Sequence, residues 1–204
     1  MQRRRYLSGT EVELLISSAA RKETGERDQC LIYMAFIHGY RISELLSLTF
    51  SDIDFNSNYI HIKRSKQGFS TIHPLLHEER QLLLKWLTVR ICYQNAQESP
   101  YVFISRRGTP LSRQQAYNIV KSAGSAARLS VKAHPHMLRH ACGYALADRG
   151  INTRLIQDYL GHRNIRHTVH YTASNAGRFV NIWGSESGEA VCLCESHCSA
   201  CVRL

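Results

Sequence analysis

The fold is decided by His134-Pro135-His136-Met137-Leu138-Arg139-His140, followed by Tyr159-Leu160-Gly161-His162-Arg163-Asn164 and by His167-Thr168-Val169-His170-Tyr171-Thr172. Pro135 suits the first turn of a helix, so His136 and Arg139 fall on one helical face. That helix runs from Pro135 to about Arg149, a shorter one covers Thr153 to Leu160, Gly161 interrupts, and a last one spans Ile165 to about Thr172. A helix N-terminus flanked by a His and an Arg makes an anion site. His136 and His140 also have the spacing of metal ligands, but no carboxylate is near in sequence and Arg139 is a poor neighbour for a cation, so no metal is expected.

Toward the N-terminus, Ser112 and Gln115 form a capping box for a helix reaching about Arg128. Arg106 to Pro110 reads as a turn, Tyr101 to Ile104 as a short buried strand or extended segment, and Glu78 to about Tyr93 as a helix. Tyr59-Ile60-His61-Ile62-Lys63 and Phe69-Ser70-Thr71-Ile72-His73 alternate like two strands around Ser65-Lys66-Gln67-Gly68, which puts Lys66 at a hairpin tip. Ile42 to Leu48 is a short helix. Cys30, Leu31, Met34, Ala35 and Ile37 form the apolar stripe of another, ending near Gly39. Ser8 with Glu11, staple residues Leu7 and Val12 beside them, opens a first helix to about Lys22. The fold class is mainly α with a small antiparallel β-sheet (α+β). One domain covers residues 1–183, and a Cys-rich, flexible C-terminal tail covers 184–204.

At 204 residues, 44% hydrophobic and 21% charged, the chain can bury a real core, which excludes a disordered scaffold. Lys and Arg number 26 against 16 Asp and Glu, a formal charge of +10 that favours a polyanionic partner. The planar fork of arginine suits a nucleic-acid backbone better than a bilayer surface. No apolar run approaches the roughly 18 residues of a membrane span. The basic start Met1-Gln2-Arg3-Arg4-Arg5-Tyr6 lacks the apolar stretch of a secretory signal, so the expectation is a cytoplasmic protein. Cys30, Cys92 and Cys142 lie in apolar helical patterns and read as small core residues. Cys192, Cys194, Cys198 and Cys201 crowd around His197 without the paired spacing or apolar support of a zinc knuckle, and no metal is assigned to them.

Gly39-Tyr40-Arg41-Ile42-Ser43-Glu44-Leu45 on its own reads as a surface Arg–Glu pair. Joined to a hairpin Lys, His-x-x-Arg-His, Leu-Gly-His and a following Tyr, in that order from Arg41 to Tyr171, it resembles the tyrosine recombinase (phage integrase) family. The runs Arg106-Arg107-Gly108, Leu111-Ser112-Arg113-Gln114-Gln115-Ala116-Tyr117 and Arg154 to Thr168 are similar, more narrowly, to short recombinases that invert fimbrial promoter segments. The resemblance implies the tyrosine recombinase catalytic-domain fold. It implies a site-specific DNA recombinase that cleaves and rejoins DNA at short inverted repeats through a 3′-phosphotyrosine link, without metal, ATP or other cofactor, and inverts a promoter segment in fimbrial phase variation. Its expected partners are double-stranded DNA with inverted repeats, further copies of itself as a homotetramer on DNA, and accessory DNA-bending proteins.

Opening a phosphodiester without metal or ATP needs a side-chain nucleophile, cations around the non-bridging oxygens and an acid for the leaving oxygen. The resemblance casts Tyr171 as nucleophile and Arg41 and Arg139 as the phosphate clamp. Lys66 is the general acid, with Lys63 its rival. His136 is the proton acceptor for Tyr171, His162 a donor to a non-bridging oxygen, and Glu44 a support that orients its neighbours. Arg3, Arg4, Arg5, Arg106, Arg107 and Arg113 are expected as DNA phosphate contacts. His140, His167 and His170 are expected as flanking packing, and Tyr117, Tyr144 and Tyr159 as core or helix-face aromatics. Most of the family carries a separate N-terminal core-binding domain that this sequence lacks, hence the expected reliance on oligomerisation and DNA bending. Two other readings remain at this point: a DNA-binding regulator that occupies the same sites without cutting, and a type IB topoisomerase.

Overall fold

A computed structural model describes residues 6–64 and 68–173. Arg3, Arg4, Arg5, Lys66 and the whole 184–204 segment with its four cysteines lie outside the described residues. Helix α1 (Gly9–Ala20) starts as its capping box dictates. The Ser8 hydroxyl accepts from the Glu11 N–H at 3.3 Å, and the Glu11 carboxylate accepts from the Ser8 N–H at 2.9 Å. Leu7 and Val12, the staple pair, are both buried. Helix α2 (Gly25–Ile37) is the central post, with Cys30, Leu31, Ile32 and Met34 fully enclosed by α1, by α4 (His77–Arg90) and by α6 (Pro135–Asp148).

After the short α3 (Ile42–Leu46) the chain forms a three-stranded antiparallel sheet in the order β1 (Ile53–Asp54), β2 (Tyr59–Ile62), β3 (Thr71–Pro74), with Ile60 opposite His73 and Ile62 opposite Thr71. The hairpin is the one read from sequence. Strand β1 adds a two-residue edge too short to alternate visibly. The 101–104 segment is extended and buried, but it joins no sheet: it makes isolated bridges, Thr49 with Tyr101 and Ile104 with Pro110. It is held by side chains of α4, where the Trp86 indole N–H donates to the Val102 carbonyl at 3.0 Å. Arg90 donates to the carbonyls of Ala96, Ser99, Tyr101 and Val102.

Helix α5 (Arg113–Ala126) begins at the Ser112–Gln115 box, and α7 (Thr153–Leu160) and α8 (Arg166–Ala173) complete the described chain. One large apolar core runs from Leu7 through α2, the sheet and α5 to Ala141. A smaller cluster of Cys142, Ala147, Ile156, Leu160 and Tyr171 lies between α6, α7 and α8. Cys30 and Cys142 are core residues as expected. Cys92 is exposed instead, because α4 ends at Arg90 and Cys92 falls beyond its apolar stripe. Among the described residues no helix is long and apolar enough to cross a membrane.

Candidate active site

The start of α3, the start of α6, the α7–α8 corner and α8 enclose a cleft of about 1000 Å³ lined by Arg41, His136, Arg139, His140, His162 and Tyr171, among others. Gly39 makes the first corner possible. Its φ is +55°, and a Cβ there would stand 2.4 Å from Leu160 Cδ2. Its carbonyl, so exposed to the interior, accepts from Arg139 Nη1 and from Arg64 Nη1. Arg139 also donates through Nη2 to the Leu160 carbonyl at 2.8 Å. The guanidinium is thus fixed by backbone oxygens from two elements, which leaves its orientation little freedom.

Glu44 is the anionic counterweight. Its carboxylate, fully buried, accepts from Arg41 Nη1 at 2.8 Å and Arg64 Nη1 at 3.1 Å, and Arg139 Nη1 stands 4.0 Å away. It also accepts from the Arg41 backbone N–H at 3.0 Å, closing the N-terminus of α3. Three guanidiniums converge on one carboxylate, so a net positive charge remains at the cleft floor. Burial, then Arg41 and Arg64, lower the Arg139 pKa to about 10, which still leaves it cationic at neutral pH.

Arg64 escapes a sequence reading that looks for exposed cations. It is buried where the hairpin leaves β2, donating to the carbonyls of His38 at 3.0 Å and Tyr159 at 2.8 Å as well as to Glu44. Gly161 admits it: φ is +63°, and a Cβ would meet Arg64 Cγ at 2.8 Å. Beneath the same corner His38 Nε2 pairs with Glu79 at 2.7 Å and its Nδ1 lies 3.0 Å from His73 Nδ1, all buried. Burial and His38 depress His73 to about 3.

His162 follows Gly161 into the cleft. Its Nδ1 is 2.9 Å from the hydroxyl of the buried Thr168, and burial followed by Arg139 lowers its pKa to about 3. A neutral ring that accepts from Thr168 through Nδ1 carries its proton on Nε2, a donor. Tyr171, on α8, is 2% exposed, and burial pushes its phenol above the usual range. Its hydroxyl lies 3.0 Å from His140 Nδ1. His140 is one helical turn from His136, with the two rings edge to face at 5.3 Å. The hydrogen bond to the phenol thus involves a histidine expected only to pack beside the site. Helical spacing gives His136 and His140 the same face and does not choose between them.

The other expected residues separate. Lys63 pairs with Asp52 on the outer side of the sheet and is not among the residues lining the cleft. Gly68 does line it. Arg106 is paired with Glu23, and Arg107 and Arg113 are exposed; none of the three lines the cleft. Arg154 and Arg163, which the sequence reading did not single out, do. Arg163 directly follows the Leu-Gly-His corner, whereas Arg154 stands at the opposite end of α7. Among the described residues no cluster of His, Cys, Asp and Glu has the form of a metal site.

The phage integrase family model matches residues 5–178. The chain is 56% identical over 183 residues to the type 1 fimbriae regulatory protein FimE of Escherichia coli (strain K12), covering 90% of this chain and 92% of that one. It is 55% identical over 187 residues to FimB of the same strain, covering 92% and 93%. Among solved structures, XerH site-specific recombinase bound to its palindromic difH substrate after cleavage superposes with a TM-score of 0.72 at 25% identity, covering 85% of this chain and 51% of that one. The order of residues around the cleft and these likenesses lead to one conclusion: the chain belongs to the phage integrase family, the tyrosine site-specific recombinases.

Proposed function

We propose that Tyr171 is the nucleophile of a recombinase that cuts and rejoins double-stranded DNA at short inverted repeats and so inverts a fimbrial promoter segment. The observation that carries this is the convergence of Tyr171 with Arg41, Arg139 and His162 on one cationic cleft. The Tyr171 oxygen attacks the scissile phosphorus as His136 takes its proton, a 3′-phosphotyrosine bond forms and the bond to the 5′-oxygen breaks. Lys66 gives the leaving oxygen its proton. The reverse sequence rejoins the strand, and bond energy is conserved in the tyrosyl ester. Arg41 and Arg139 hold the non-bridging oxygens, with His162 donating beside them. Removing one such preorganised donor typically costs about 10²- to 10³-fold in rate.

The DNA backbone runs over the basic rim, where Arg154 and Arg163 supply phosphate contacts, and Arg3, Arg4, Arg5, Arg106, Arg107 and Arg113 extend the footprint. Four copies assemble on paired sites with DNA-bending proteins in the cytoplasm. The regulatory names of FimE and FimB, and the DNA-bound state of XerH, support the substrate class. The test is a duplex that this protein selects from a randomised inverted-repeat pool, nicked so that cleavage is trapped, on a denaturing gel. A DNA-linked protein band with wild type and none with Tyr171→Phe is expected. Tight binding by both with no band in either would overturn the assignment in favour of a regulator that does not cut.

A further inference from the structure

We propose that Arg64 is a positioning residue for the reaction: from beneath the cleft it takes up the charge of Glu44, so that Arg41 and Arg139 meet the phosphate with both of their positive charges. This rests on Arg41 and Arg139 being the phosphate clamp and Tyr171 the nucleophile. Arg41 and Arg139 line the cleft, and Arg64 does not. The Arg64 and Glu44 side chains are both closed to solvent, whereas that of Arg41 is 26% exposed. The two carboxylate oxygens of Glu44 serve different guanidiniums. Oε1 accepts from Arg41 at 2.8 Å and Oε2 from Arg64 at 3.1 Å, with Arg139 Nη1 standing 4.0 Å from the same Oε2. Arg64 therefore holds the oxygen that faces Arg139. Its own place is set by backbone: Nη2 donates to the carbonyls of His38 at 3.0 Å and Tyr159 at 2.8 Å, and the guanidinium lies over the Tyr40 ring at 5.6 Å. Held on these sides, it has no route to the substrate.

Three guanidiniums and one carboxylate give these four side chains two net positive charges. A phosphodiester arrives with one negative charge. Attack by the Tyr171 oxygen, its proton gone, brings a second to the pentacoordinate phosphorus before the 5′-oxygen leaves, so the floor of the cleft matches the transition state better than the bound substrate. Without Arg64 the same carboxylate would cancel one of the two clamp charges. That shortfall falls on the chemical step more than on binding. Burial lets the charge act at this range, because screening by solvent is weak among groups closed to it. After burial, Arg64 stands with Arg41 among the cations that lower Arg139, and with Arg139 and Arg41 among those that lower His162. An exposed arginine at the same place would be screened by salt and would compete for the phosphate itself.

The test uses the full chain on the nicked duplex described above, with Kd and the single-turnover rate of adduct formation measured below the melting transition of each variant. Arg64→Gln keeps an amide that donates to a carbonyl but carries no charge. It should bind DNA within a few-fold of wild type and form the adduct about 10²-fold more slowly, the scale on which preorganised electrostatic groups act. On a duplex with a methylphosphonate at the scissile position, where the phosphorus centre starts neutral, the same substitution should slow the reaction by no more than about tenfold. Adding Glu44→Gln to Arg64→Gln removes both charges and leaves those of Arg41 and Arg139 uncancelled, so the double variant should recover to within about tenfold of wild type. Arg64→Gln within a few-fold of wild type on the phosphodiester would overturn the proposal. Equal slowing on both duplexes, a Kd that rises as far as the rate falls, or a double variant no faster than Arg64→Gln would overturn it in favour of a purely structural role. If Arg64→Gln does not fold, the double variant decides alone, a rate within about tenfold of wild type supporting the proposal and a loss of about 10²-fold overturning it. Tyr171→Phe is run alongside. An adduct with that variant, or none with wild type, removes the nucleophile reading and this proposal with it, whereas a wild-type adduct beside an unslowed Arg64→Gln removes only the role of Arg64.

Discussion

Arg139 and Tyr171 line the same cleft on different foundations. Arg139 is tied to two backbone carbonyls and stands near Glu44, at the part of α6 that packs into the large core. Tyr171 rides on α8, eight residues long, and rests on a small cluster shared with Cys142, Ala147, Ile156 and Leu160. An isolated helix shorter than roughly 12 residues is marginal in water, so α8 depends on its docking. That docking is made by the close approach of the Tyr171 ring to Gly143, the Thr153–Thr172 hydroxyl pair at 2.8 Å and the His162–Thr168 hydrogen bond at 2.9 Å. The phosphate cradle is therefore part of the stability of the domain, while the nucleophile sits where local change costs little stability and much chemistry.

The largest effect should come from the cradle. Arg64→Met removes a fully buried guanidinium from an equally buried Glu44, and breaking such a pair costs about 3–5 kcal/mol. Urea unfolding should show that loss. A midpoint near wild type would mean that the cradle is not part of the core's stability.

Paired glycine substitutions sharpen the contrast. Gly143→Ala must displace the Tyr171 ring, and a misplacement of about 1 Å costs up to about 10²-fold in rate. Its urea midpoint should stay close to wild type. Gly124→Ala pushes a Cβ to 2.7 Å from that of Ala133 in the large core. Overpacking there should cost about 1–3 kcal/mol and leave cleavage per folded molecule unchanged. The opposite pattern in either variant would erase the distinction. Amide hydrogen exchange tests it without mutation: the amides of α8 should exchange well ahead of those of α2, and equal protection would place both in one cooperative unit.

A further test is acid stability. His73 and His162, lowered to about 3, and His140, lowered to about 4, are neutral in the fold but protonate near 6.5 when unfolded. The unfolded chain then binds more protons between those values, so stability falls as pH drops from about 6.5 toward about 3. The melting temperature should decline through that window, and less steeply in His73→Gln. A flat profile would mean that these rings titrate normally.

The sequence made the helices legible to within a few residues, because capping boxes at Ser8 and Ser112, Pro135 at a helix start and the break at Gly161 are local signals. It also made legible the order of residues from Arg41 to Tyr171. Arg64 was hidden for a physical reason. Beside Lys63 and Lys66 it looks like one more solvated cation, and its burial depends on two left-handed glycines, Gly39 and Gly161, bringing distant backbones together. The hydrogen bond between His140 and Tyr171 was hidden because it depends on how α8 crosses α6, where Gly143 leaves room for the ring.

The central claim, that Tyr171 is the nucleophile, is tested most directly by locating the covalent bond. Tyr171 is the last tyrosine of the chain and the only one in the tryptic peptide His167–Arg178. The adduct trapped on the nicked duplex is digested with trypsin and nuclease, and the modified peptide is sequenced by mass spectrometry. The account predicts a nucleotide on Tyr171 of that peptide. A nucleotide on Tyr144, Tyr159 or any other residue would contradict it.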